Sequence, residues 1–161
     1  MMELLNPPEE LFIRMDDCLE RLLDRSRAVC VLLADISGQL IVQRGKDGRL
    51  DTSALAAVAA SNMAATEEMA RQIGEAAPFS YLFHEGTRRS IYISAVAETF
   101  LLVIIFDEMS QVGLVRIFAR LAVNELLEVA AELEPWLEKA GSVVDREFGG
   151  ALADRLDKAF I

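Results

Sequence analysis

Apolar residues recur along the chain at two spacings, and the switches between them outline the elements. Phe12, Met15, Leu19, Leu22 and Leu23 fall at helical intervals and predict an amphipathic helix over residues 9–26 with these five as its buried stripe. Pro7 and Pro8 precede it, and Glu9 and Glu10 suit its first turn, where the backbone dipole favours anions. Residues 28–35 are apolar through Ala34 and read as an interior strand. Ser37-Gly38 then supplies a tight turn into a hairpin partner over residues 39–44, followed by a polar loop over 45–49.

A second helix is expected from about Ser53, with Asp51, Thr52 and Ser53 as candidate caps, to Gly74, a residue suited to a helix C-terminus. Leu55, Val58, Asn62, Thr66, Met69 and Ile73 share one side and are expected to face the sheet. Residues 79–85, 90–96 and 99–106 are short apolar runs joined by tight turns, as in an antiparallel meander. A long helix follows, with Ser110 as candidate cap and a stripe of Val115, Ala119, Ala122, Leu126, Val129, Leu133 and Leu137. Pro135 is expected to kink or stop it, and Gly141-Ser142 to separate it from a last helix over residues 144–160. The resulting architecture is α/β: a five-stranded antiparallel sheet with helices on both faces, the second helix on one and the first and third on the other. Residues 1–140 form the domain and residues 141–161 a C-terminal helical extension.

Composition sharpens this outline. Apolar residues make up 53% of the 161, high for a chain whose surface meets only water, and this points to self-association. The longest uncharged run, Thr52 to Thr66, is 15 residues, short of the roughly 20 that span a bilayer. The acidic first residues lack the basic start of a signal peptide, so the expected location is cytoplasmic, without membrane insertion. A net charge of −10, with no stripe of Lys or Arg along the chain, argues against nucleic acid as a partner.

Catalytic patterns are missing. There is no Gly-rich phosphate loop, no CxxC or HExxH, and no serine elbow. His84, the single histidine, flanks a turn, and Asp35 reads as a turn aspartate. Cys18 and Cys30 lie in apolar patterns as small core residues, with no disulfide expected. No catalytic residue, cofactor or metal site is assigned, and the chain reads as a binding protein rather than an enzyme.

Three features suggest partners. The second helix presents Ala56, Ala57, Ala60, Ser61 and Ala64, then Glu67, Glu68 and Arg71, opposite its expected sheet face. Small side chains let another backbone approach closely, although alanine also simply favours helix. The run Phe79-Ser80-Tyr81-Leu82-Phe83-His84 opens the meander as a candidate edge strand, which must be paired or covered. Pairing with a second copy through Phe79, Tyr81, Leu82 and Phe83 gives a two-fold homodimer with a continuous sheet. In the last helix Val144, Phe148, Leu152, Leu156 and Phe160 repeat every four residues, an amphipathic pattern that suits packing back on the domain or docking into a partner groove.

Residues 58–66 (Val-Ala-Ala-Ser-Asn-Met-Ala-Ala-Thr), His84-Glu85-Gly86 leading to Ile91-Tyr92-Ile93, and residues 101–108 followed by Gly113 together resemble the Roadblock dynein light-chain superfamily over about residues 9–137, and within it the bacterial gliding-protein MglB branch. The resemblance implies a homodimer with a ten-stranded sheet. It also implies that the dimer binds a Ras-like GTPase of the MglA type and stimulates its GTP hydrolysis without donating a catalytic residue. The implied GTPase contacts are Ala60 and Ala64, with Ala57, Met63, Glu67 and Glu68 beside them. Phe148, Leu152 and Leu156 are the implied anchors of a tail helix that contacts the GTPase elsewhere. The alternative is a dimeric scaffold that binds a GTPase or signalling complex without changing its turnover.

Overall fold

In the computed structural model, backbone is described for residues 7–159 and side chains for residues 7–139. Helix α1 spans Glu9–Ser26, with Glu9 and Glu10 in its first turn, and Arg27 ends it in a left-handed conformation. The hairpin β1 (Cys30–Asp35) and β2 (Leu40–Gly45) follows, then α2 (Thr52–Gln72). The Asp51 carboxylate caps α2 by accepting from the Ala54 amide at 3.0 Å. The meander is β3 (Tyr81–His84), β4 (Arg89–Val96) and β5 (Phe100–Asp107), and the chain continues into α3 (Val112–Ala159).

The strands form one antiparallel sheet in the order β2-β1-β5-β4-β3. Strand β5 lies at its centre and is buried along nearly its whole length, so both faces of its apolar run are covered. Alternate residues feed two cores. Val31, Leu33, Leu102 and Ile104 pack with Met15, Leu19 and Leu22 of α1 and with Val115, Ala119 and Leu126 of α3. On the other face Cys30, Leu32, Val103 and Ile105 pack with Ala59, Ala60 and Met63 of α2. Helices α1 and α3 are also joined by the pairs Arg14–Glu132, at 2.8 Å, and Arg21–Glu125. Such exposed pairs are screened by solvent and contribute little, so the apolar seam between the helices dominates.

Several expectations need correction. Phe12 is exposed, and Leu11 and Cys18 join the α1 stripe in its place. Ser110 does not cap α3: its hydroxyl donates to the Arg27 carbonyl at 2.7 Å, holding the end of α1 against the start of α3. Pro135 lies inside a helix that also runs through Gly141 and Ser142 without ending. A proline removes one backbone hydrogen bond and a glycine costs about 1 kcal/mol, and strong helix formers such as Leu137, Glu138, Lys139 and Ala140 on the flanks outweigh both.

The face of α2 is the largest correction. Val58, Met69 and Ile73, expected against the sheet, are 64%, 60% and 71% exposed. Ala56, Ala59, Ala60, Met63, Thr66 and Ala70 are the buried ones. The reason lies in the turn between β1 and β2. Gly38 (φ +94°) sits so close to the helix that a Cβ there would lie 2.7 Å from the Ala57 Cα and 3.2 Å from the Ala60 Cβ. The alanines face inward because only they allow so close an approach, and the larger side chains turn outward.

Candidate functional site

The outer surface of α2 and the strand turns beneath it form the principal groove of the α2 face. Its volume is about 510 Å³. Ala60, Met63, Ala64 and Glu67 form the helical wall, Leu101 lies in the floor, and Ile36, Ala97 and Glu98 from two strand turns form the opposite wall. These turns are positioned by local chemistry. Asp35 Oδ1 accepts from the Ser37 hydroxyl at 2.6 Å and from the Gln39 amide at 2.9 Å, which shapes the β1–β2 turn and lifts Ile36 into solvent. In the β4–β5 turn Ala97 adopts φ 52°, which lets β5 fold back directly onto β4.

The sequence-assigned α2 residues divide into two groups. Ala57, Ala64, Glu67 and Glu68 are exposed. Ala60 and Met63, assigned to the same surface, are only 8% and 4% exposed. They line the inner part of the helical wall, so a partner would reach them only from the groove. Part of the small-residue signal therefore serves the close approach of Gly38 to the helix, and the rest remains available outside. Ile36, Ala97 and Glu98 went unnoticed because they belong to turns, where a sequence reading attends to backbone needs.

Charge on the α2 side is uneven. Arg71 donates to Glu68 and holds its carboxylate below the ordinary range, with a further hydrogen bond from Gln72 in the same direction. Glu67 and Glu98 form no ion pair among the described residues. The groove is thus lined mainly by apolar residues, with Glu67, Glu98 and the Glu68-paired Arg71 as its charged groups. Further along, Asn62 hydrogen-bonds His84 through Nδ2 and Nε2 at 2.8 Å, tying α2 to β3.

Strand β3 is an edge of the sheet, as the sequence suggested. Phe79, Tyr81 and Leu82 are half-buried and Phe83 is exposed. Tyr81 stacks on Tyr92 with ring centroids 5.1 Å apart, and Phe83 on Phe106 at 5.9 Å, so the aromatic rings are fixed while the outer backbone edge of the strand stays open. The candidate tail anchors Phe148, Leu152 and Leu156 lie outside the residues whose side chains are described.

Both thiols are buried and free. Burial, followed by interaction with Glu125, pushes the Cys18 thiol up to about 12, which makes it a core residue rather than a nucleophile. Among the described residues, no group of three or more His, Cys, Asp or Glu could hold a metal ion, and no helix is long and apolar enough to cross a membrane.

Comparison with known proteins agrees with the geometry. The Roadblock/LC7 domain matches residues 8–106. Myxococcus xanthus MglB is 37% identical, with 80% of this chain and 96% of that one covered at a TM-score of 0.74. The gliding protein MglB of Thermus thermophilus is 30% identical over 76% of this chain and 92% of its own, with a TM-score of 0.72. A Roadblock/LC7 domain from Streptomyces avermitilis, at 14% identity and a TM-score of 0.57, shares the fold. No curated protein matches the chain. On the family match and the extent of these likenesses, the chain belongs to the Roadblock/LC7 family, in its MglB branch.

Proposed function

We propose that the protein is a cytoplasmic homodimeric regulator of a bacterial Ras-like GTPase of the MglA type, and that it stimulates GTP hydrolysis without supplying a catalytic residue of its own. The observation that supports this best is the α2 surface: Ala57, Ser61 and Ala64 are exposed and uncharged, Glu67 and Glu68 follow, and the groove lies alongside. A small-residue helix face beside a groove accepts another folded surface at close range, and close range is what reshaping a partner's active site requires. The likeness to gliding proteins supports a role in the same kind of process. In this reading residues 1–140 are the regulatory domain, and residues 141–161 extend it with Phe148, Leu152 and Leu156 as partner anchors.

The test is single-turnover GTP hydrolysis by the cognate GTPase with and without the protein. Wild type should accelerate it, and Ala64→Arg should remove the acceleration, because a long cation on the exposed helix face keeps the partner away. Full stimulation by Ala64→Arg would refute the helix-face assignment. Binding with an unchanged rate would favour the scaffold reading, in which the same surface holds a GTPase without altering it.

A further inference from the structure

On the opposite face of the sheet, the first half of α3 presents a second surface of contrary character. Leu114, Ile117 and Leu121 form a ridge and are 42%, 57% and 52% exposed. Their spacing places them on one side of the helix, outward and toward α1. Arginines stand on both flanks. Arg116 and Arg120 line a depression of about 370 Å³ together with Ile117 and Leu121. Arg25 and Arg27 line another of about 400 Å³ with Leu114 and Phe118.

This basic ridge belongs to a chain of net charge −10, yet from Ser110 through Asn124 there is no Asp or Glu. The nearest acid on the helix, Glu125, is already paired with Arg21. Arg25, Arg27 and Arg120 form no ion pair among the described residues. The Arg116 guanidinium rests over the Tyr81 ring, 5.0 Å from its centroid, which holds the inner flank in place.

We infer that this arginine-flanked ridge is a second docking surface, and that its occupant is an acidic amphipathic helix of a partner protein. The ridge and its depressions match the spacing of an apolar helix stripe laid along α3, with carboxylates of the incoming helix falling against the arginines on either side. A second copy on the same face would set arginine against arginine. A nucleic acid would meet large apolar side chains where it needs a continuous cationic track. The surface is separated from the α2 groove by the sheet, so it is available while the proposed GTPase site is occupied.

The test uses three synthetic helical peptides with the same leucine stripe and with Glu, Gln or Lys at the flanking positions, titrated by fluorescence anisotropy. The Glu peptide should bind most tightly, weaken with added salt, and lose about tenfold in affinity against either Ile117→Asp or Arg120→Glu. Both positions are exposed, so the fold should persist, as circular dichroism would verify. Equal binding of the three peptides, no binding, or no effect of either substitution would overturn the proposal. So would Ile117-dependent binding to phosphatidylcholine–phosphatidylserine vesicles in place of the peptide, or Ile117-dependent self-association. GTPase stimulation should be unchanged in both variants, which keeps this test separate from that of the α2 site.

Discussion

Gly38 shows how one residue position governs the α2 face. Its φ of +94° is costly for any side chain, and the space where a Cβ would go is filled by the Ala57 backbone. Gly38→Ala should therefore destabilise the fold by about 2 kcal/mol or more, lowering Tm by roughly 4–8 °C, with the loss of inner packing read by near-ultraviolet circular dichroism. Cys18 makes a second prediction, in alkali. Its folded pKa, pushed up to about 12 by burial, exceeds its ordinary value of 9.0. The unfolded chain would therefore lose its proton first. The stabilisation linked to this thiol is fully present below about pH 9 and is lost as pH rises through about 12. Removing the thiol with Cys18→Ala should flatten that part of the pH–stability curve, and a thiol reagent should label neither cysteine of the native protein at pH 8.

At the scale of elements, periodicity succeeded where the inward stripe holds large apolar residues at regular three- and four-residue spacing. The α3 stripe is buried from Val115 through Leu133, with Arg116, Arg120 and Glu128 on its outer side. Leu137, expected to continue it, is instead 47% exposed, because α3 there runs on past the Arg14–Glu132 pair near the start of α1. In α2 it failed because both sides are apolar. Val58, Met69 and Ile73 outrank alanine in hydrophobicity, but the distance between helix and sheet selected for small volume instead. The same mismatch hid half of the groove: Ala60 and Ala64 were legible, whereas Ile36, Ala97 and Glu98 reach it only through the geometry of their turns. The arginine-flanked ridge was illegible for another reason, since Arg25 and Arg27 join Arg116 and Arg120 only when α1 packs on α3. Pro135, internal to α3, gives a prediction at this scale. Pro135→Ala should restore a backbone hydrogen bond and strengthen the helix locally by up to about 3 kcal/mol, seen as slower amide exchange around residues 131–139.

The whole molecule has two sheet edges, and they are unequal. Strand β2 is engaged from both layers: Arg44 pairs with Asp16 of α1, and the Thr52 hydroxyl at the start of α2 donates to Gln43 at 2.7 Å. Among the described residues strand β3 has no neighbour beyond it, and its side chains Tyr81 and Phe83 are engaged toward α3 and β5 while its backbone faces outward. An open apolar edge of this kind calls for a partner strand, and a second copy supplies one with matched chemistry and closed symmetry. In this reading the dimer also covers Met69 and Ile73, which are exposed near the end of α2, the helix that the Asn62–His84 hydrogen bond ties to β3. That would account for apolar side chains that a monomer leaves in water. Leu82→Lys tests the arrangement directly, because a cation on the half-buried edge strand opposes pairing while its flexible stem can still reach solvent. The variant should scatter as one subunit at micromolar concentration where wild type scatters as two, with its far-ultraviolet spectrum unchanged. GTPase stimulation should fall with it, since each partner would then meet one α2 helix instead of a pair. A folded Leu82→Lys protein that remains a dimer would move the seam away from β3.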